Sequence, residues 1–147
     1  MLKRLKIVLQ EVLAAQEIEE ANALPMACAL LMFEILRADY RADAAELNKI
    51  SQHIRTAFGF SQDEARRLMQ QAQQQSDEMV SLHEVVRTIN EAYSADEKRN
   101  LLKMLWDVAY ADGELDSNEE YTLRRLADLL HVPHRDFIKT KHAVMPE

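Results

Sequence analysis

Hydrophobic residues along this chain recur mostly at intervals of three or four positions, the spacing of one face of an α-helix. No segment shows a convincing alternation of polar and apolar residues, which would mark a half-buried strand. Two glycines and three prolines leave few strong chain breakers, which favours helices with short connections. The pattern therefore predicts an all-α fold of about eight helices. They are expected over about residues 2–16, 25–39, 44–58, 61–74, 79–92, 94–111, 117–130 and 133–145.

Two of these helix starts carry a clear local signal. Ser61 with Glu64, and Ser94 with Glu97, have the spacing of a capping box, in which a hydroxyl and a carboxylate bind each other's backbone N–H. A polar link is expected over residues 17–22, and residues 70–77 read as a polar helix end and linker.

The first helix is amphipathic and carries three basic residues near its start. We expect its apolar face to dock on its own domain, with a membrane surface or a partner protein as the alternatives. A signal peptide is disfavoured because Lys6 and Glu11 interrupt the apolar stretch and no small-residue cleavage site follows. The apolar residues at helical spacing are Leu2, Leu5, Leu9, Val12 and Leu13.

The chain contains two related segments. Residues 31–50 (LMFEILRADYRADAAELNKI) align without a gap on residues 104–123 (MLWDVAYADGELDSNEEYTL). Acidic, aromatic and aliphatic positions agree together in this alignment. We therefore expect two related helical hairpins, over about residues 27–72 and 101–141, packed about a pseudo-twofold axis in one domain spanning residues 1–147.

Both segments share the acidic pattern D-x3-D-x2-E. Asp43 and Asp116 immediately precede helices, where an Asp side chain accepts a bond from a free backbone N–H. Glu46 and Glu119 stand three residues later, the reciprocal position of a capping box. Capping therefore accounts for four of the acids. The full set is Asp39, Asp43, Glu46, Asp112, Asp116 and Glu119.

The other two acids resist that explanation. Asp39 and Asp112 come at helix ends, where the helix dipole favours cations. Each continues the apolar stripe of its helix, while Glu46 and Glu119 head the apolar faces of the following helices, so these acids are expected to converge inside. Like charges brought together inside the protein need an offsetting interaction. Three explanations for these acids stay open: caps and buried polar networks, a divalent cation such as Ca²⁺ or Mg²⁺, or a basic group of a partner. The spacing does not match an EF-hand loop.

Composition narrows the function. A net charge of −7 disfavours nucleic acid, which needs a Lys/Arg footprint. The lone cysteine, Cys28, cannot form an internal disulfide and lies in an apolar run that predicts a buried thiol, consistent with a reducing compartment. No phosphate loop, nucleophile elbow or metalloprotease motif is present, and isolated histidines do not suggest a zinc site.

The segment YADGELDSNEE followed by LRRLADLLHV, with its diverged upstream counterpart, resembles the TerB-like family, named for a tellurite-resistance protein. Asp112, Gly113 and Glu119 match the family's signature of Asp-Gly near a helix end and Glu seven residues on. In the first copy Asp39 and Glu46 match, but Tyr40 replaces the glycine.

The resemblance implies an all-helical, non-enzymatic protein of a bacterial stress context, cytoplasmic or membrane-associated. It also implies acidic residues that bind metal and a protein partner of unknown identity. No certain cofactor follows beyond a divalent cation. Self-association and contact of the first helix with a membrane surface are the remaining partner expectations.

Overall fold

The structure, a computed structural model, describes residues 2–37, 43–77 and 81–145, with side chains of residues 14–21 left out of the description. Within these ranges the chain forms eight α-helices and no strand, which confirms the all-α fold. The helices are α1 (Leu2–Ala21), α2 (Ala23–Arg37), α3 (Ala44–Phe58), α4 (Gln62–Asp77), α5 (Leu82–Ala92), α6 (Ala95–Ala109), α7 (Ser117–Leu129) and α8 (His134–Val144).

Helix α2 is the centre of the hydrophobic core. It is apolar nearly all round, as expected of a helix surrounded by other helices, and ten of its fifteen residues are buried. It packs against α3, α4, α5, α6 and α7. The first of the two related segments therefore supplies the helix around which the rest of the protein is assembled.

The two halves also contact each other crosswise. Helix α2 packs on α6, while α3 reaches α6 and α7 reaches α2. This arrangement brings the start of α3 and the turn before α7 to the same region of the molecule. The pseudo-twofold relation between the halves stays a prediction.

Most helix starts agree with the local sequence signals. Glu64 N donates to Ser61 Oγ at 3.2 Å, and Ser61 N donates back to the Glu64 carboxylate at 3.0 Å. Ser94 and Glu97 form the same reciprocal pair. Gly59 ends α3 in the left-handed region with φ +67°, a conformation that a side chain would strain. Both predicted capping boxes are confirmed.

The first helix differs most from expectation. It runs on to Ala21, so the link predicted at residues 17–22 is largely helical. Its apolar residues between Leu2 and Leu13 are exposed, so the prediction that this face docks on the protein's own domain is wrong. This face stays exposed because α1 makes only slight contact, through α2, with the rest of the described structure, so no other helix covers it.

The ends of two further helices also differ from expectation. Residues 70–77 continue α4 as helix to Asp77, with Ala72 and Ser76 buried, and do not form a linker. Helix α6 stops at Ala109, two residues before the predicted end. Across the ranges that the structure covers, no helix combines the length and hydrophobicity needed to cross a membrane.

Candidate cation site where two acidic corners meet

The first acidic corner, defined here as residues 43–46, is built by the start of α3. Asp43 is in extended conformation, and its Oδ1 accepts a hydrogen bond from Glu46 N at 2.9 Å. This N-cap fixes the Asp43 carboxylate against the first turn of the helix. Glu46 lies in that turn with 2% of its surface exposed, on the same face as Ile50 and Ile54. The corner therefore pairs a cap carboxylate with a buried one.

The second acidic corner, residues 112–119, is a turn followed by the start of α7. Gly113 takes φ +87°, so the Asp-Gly pair forms the left-handed turn that glycine permits. Asp112 Oδ1 accepts from Glu114 N at 3.0 Å, and Asp116 caps α7 by accepting from Asn118 N at 2.7 Å. Glu119 is buried, with 1% of its surface exposed.

The two corners meet. Carboxylate oxygens of Asp43, Glu46 and Asp112 all lie within 4.8 Å of one another. Two of these acids come from the first corner and one from the second, so the group forms only because α3 packs against α6. Each corner alone was expected to bring its own Asp and Glu together, whereas the described group joins acids across the corners.

The predicted site residues differ in how far they are buried. Glu46 and Glu119 are buried at the heads of apolar faces, as the periodicity indicated. Asp112 is exposed, so the expectation that it continues the apolar stripe of α6 is wrong. The helix ends at Ala109, and the following turn takes Asp112 off the helical face.

The other three predicted residues are Asp39, Asp116 and Glu119, and the last two are not members of this group. Asp39 falls outside the described residues. Asp116 acts as the cap of α7, and Glu119 is buried in the first turn of that helix. Among the described side chains, the three-membered group therefore holds half of the six acids that the sequence singled out.

Sequence reasoning missed the contact that ties the two corners' helices together. Asp107 of α6 lies 2.7 Å from His53 Nε2 and 3.6 Å from Lys49 Nζ, both on α3. Lys49 and His53 are four residues apart and so share one helical face. This spacing indicates that Lys49 and His53 could share one acidic partner, but it does not identify Asp107, which is more than 50 residues away in the sequence. These contacts hold α3 against α6 and so position Glu46 near Asp112.

The donor set suits a hard cation. All three groups offer carboxylate oxygen, the donor type that Ca²⁺ and Mg²⁺ prefer. Three oxygens spaced evenly around one Ca²⁺ at 2.3–2.6 Å lie about 4–4.5 Å apart, so oxygens within 4.8 Å of one another need little or no movement to bind it. Mg²⁺ brings its ligands within about 4.2 Å of each other, so oxygens at the upper end of the spread would have to close in.

The lone cysteine is not part of this site. Cys28 is buried in α2, and its Sγ donates to the Tyr93 hydroxyl at 3.8 Å. Burial raises the pKa of the thiol to about 12. A thiol held neutral in this way is a packing residue rather than a nucleophile.

Comparison with known proteins places this fold in a family. None of the curated proteins compared with the chain matches it. A solved structure, that of a protein of unknown function from Porphyromonas gingivalis W83, superimposes with a TM-score of 0.63 at 19% identity. The match covers 84% of this chain and 88% of that one, and it supports the fold alone. The sequence model of the family described as "Tellurite resistance protein TerB" matches residues 25–142, a range that contains both acidic corners. The chain therefore belongs to the TerB family.

Proposed function

We propose that this protein is a non-enzymatic module that binds one divalent cation where its two acidic corners meet. The observation that carries the proposal is the group formed by Asp43, Glu46 and Asp112, with carboxylate oxygens within 4.8 Å of one another. Three like charges this close oppose one another, and a bound cation would offset that repulsion.

The burial of the group supports the same conclusion. Glu46 is buried, while Asp112 is exposed. A cation could therefore enter from the solvent side and contact a carboxylate that is anchored in the core. Ca²⁺ fits the donor spacing best, with Mg²⁺ second, and the remaining coordination positions would be filled by other oxygens or by water. In the shared acidic pattern of the sequence, Asp39, Asp116 and Glu119 are the further candidate ligands.

The biological setting is part of the proposal. Family membership suggests a process related to stress or tellurite resistance. We propose cation binding rather than chemistry on the oxyanion, because a chain with a net charge of −7 tends to repel anions. A lone buried thiol suits a cytoplasmic location.

A second candidate is a structural or protein-interaction domain that binds no metal. It is favoured by the hydrogen bonds that three of the acids already make. Asp43, Asp112 and Asp116 each accept a backbone N–H, as caps and turn residues do without any ligand. In that case the acids serve local geometry, and a partner protein would be recognised elsewhere.

Calorimetric titration separates the two candidates. Protein freed of metal with a chelator is titrated with Ca²⁺, Mg²⁺, Mn²⁺ and Zn²⁺ in turn. The proposal expects saturable binding with a stoichiometry of one, tightest for Ca²⁺ or Mg²⁺. If no ion produces heat and the melting temperature does not change, the cation proposal is wrong and the structural candidate is favoured.

A further inference from the structure

Helix α1 carries an exposed apolar surface. Seven large hydrophobic residues between Leu2 and Leu13 are each between 49% and 85% exposed. Elsewhere among the described residues, exposed large hydrophobics are scattered singly, at Tyr121, Leu129 and Met145. Single exposed hydrophobics are ordinary, but a concentrated group indicates a binding surface. The seven are Leu2, Leu5, Ile7, Val8, Leu9, Val12 and Leu13.

Six of the seven lie on one side of the helix. At 3.6 residues per turn, all except Ile7 fall within an arc of roughly 140°. Lys6 projects from one edge of this arc and Arg4 from the other, while Lys3 and Glu11 lie on the opposite side. We call the six residues the apolar stripe of α1. They are Leu2, Leu5, Val8, Leu9, Val12 and Leu13.

The charge of this segment is opposite to that of the chain. Residues 2–13 contain Lys3, Arg4 and Lys6 against the single acid Glu11, whereas the whole protein carries a net charge of −7. All four of these side chains are exposed. Apolar surface bordered by cations is complementary to a lipid surface with anionic headgroups, because the hydrocarbon takes the stripe and the headgroups take the cations.

A second copy of the chain fits less well. The heptad pattern that marks a coiled coil extends over three to four heptads, whereas the apolar stripe of α1 spans fewer than two. The stripe is also wider than a two-residue-per-heptad seam, so a single partner helix would leave part of it uncovered. A lipid surface, in contrast, covers a broad face of a short helix.

We propose that α1 binds anionic membrane surfaces, lying in the interface with its apolar stripe inserted and Arg4 and Lys6 at the headgroups. The helix does not span the bilayer and leaves the cation site free. The proposal is independent of the cation site, because α1 precedes the family-matched residues 25–142 and shares no residue with the acidic group.

Cosedimentation of the full chain with vesicles tests the proposal. Vesicles of phosphatidylcholine alone are compared with vesicles that also contain phosphatidylglycerol, in chelator so that no cation bridges protein and lipid. We expect binding to the anionic vesicles that weakens with added salt. Removing the two flanking cations in Arg4→Gln/Lys6→Gln should lower the affinity about fivefold for each charge.

Two variants of the same chemistry locate the contact. Leu9→Gln removes a residue of the apolar stripe, and Ile7→Gln changes an equally exposed residue outside it; their exposed fractions are 54% and 53%. Leu9→Gln should weaken vesicle binding at least about tenfold. Ile7→Gln should change it by no more than about twofold. Both positions are exposed, so neither variant threatens the fold.

Three results would overturn the proposal. They are no binding to anionic vesicles, equal losses in the two variants, or a dimer in lipid-free solution that Leu9→Gln dissociates. The last result would assign the stripe to a second copy of the chain. The Asp112→Asn variant should bind vesicles as the unmodified protein does, so failure of this proposal remains distinct from failure of the cation site.

Discussion

The carboxylate of Asp112, in the turn after α6, lies within 4.8 Å of the carboxylate of Glu46 in the first turn of α3. The two residues belong to different copies of the duplicated acidic pattern. Under the proposed function, each of the two segments therefore supplies part of one acidic group. The contacts of Asp107 with Lys49 and His53 hold the helices that carry them together.

The cap of α7 distinguishes Asp116 from its neighbour Ser117. Asp116 accepts a hydrogen bond from Asn118 N. Ser117 and Glu120 also have the spacing of a capping box, but Glu120 binds Lys141 Nζ at 2.8 Å. For comparison, Ser94 is the confirmed N-cap of α6. Ser94→Ala should lower the free energy of unfolding by about 1 kcal/mol, because it removes that cap. Ser117→Ala should change it by less than about 0.5 kcal/mol. Urea denaturation of both variants measures the difference; equal losses would mean that Ser117 caps α7.

A leucine in α2 and a leucine in α1 should respond differently to truncation. Leu31 has none of its surface exposed, while Leu9 is 54% exposed. Leu31→Ala should lower the free energy of unfolding by about 2–5 kcal/mol, because it removes core contacts and leaves a cavity. Leu9→Ala should cost less than about 0.5 kcal/mol. Chemical denaturation tests the pair, and a large loss in Leu9→Ala would show that α1 docks on the domain after all.

The thiol of Cys28 should be protected in the folded protein. Burial raises its pKa to about 12, so the reactive thiolate is scarce at neutral and mildly basic pH. We expect almost no labelling by iodoacetamide at pH 8 in buffer and complete labelling in denaturant. Labelling at equal rates in the two conditions would contradict the burial of α2.

The capping box at the start of α4 should make stability depend on pH. Hydrogen bonds from the backbone and side chain of Ser61 hold the pKa of Glu64 below its ordinary value near 4.5. A lowered pKa means that the charged form stabilises the fold. This contribution is present above about 4.5 and is lost as the pH falls through the lowered value.

The variant Glu64→Gln isolates that dependence. It keeps the size of the side chain but cannot titrate, so its melting temperature should fall less steeply than that of the unmodified protein across the acid range. The mid-helix change Gln70→Glu, away from any cap, serves as a titrating control without the Ser61 contacts. Parallel acid profiles for Glu64→Gln and the unmodified protein would count against the pKa shift.

The features that sequence predicted best are local ones. The start of α3 after Asp43, the two serine capping boxes and the buried placement of Glu46 and Glu119 all depend on a few neighbouring residues and on helical periodicity. Such signals act within one or two turns of a helix, so they can be read without knowledge of the rest of the fold.

The features that sequence missed depend on tertiary packing. Periodicity described the apolar stripe of α1 but could not tell whether the domain offers a surface to cover it. It likewise extended the stripe of α6 to Asp112, although the helix ends at Ala109 and a turn carries Asp112 to the surface. The meeting of acids across the two corners follows from how α3 packs on α6, which no local pattern specifies.

The most direct measurement of the central claim is the shift in melting temperature caused by Ca²⁺ in three proteins: the unmodified chain, Asp112→Asn and Glu114→Gln. Asparagine at position 112 keeps an oxygen that can accept the hydrogen bond from Glu114 N, so the turn should survive while one carboxylate of the site is removed. Glu114→Gln removes an equal charge from the same turn but no member of the acidic group. The account predicts that Ca²⁺ raises the melting temperature of the unmodified protein and of Glu114→Gln, and that Asp112→Asn loses most of this shift. A shift of the same size in all three proteins, or in none of them, would contradict a cation site at the meeting point of the two corners.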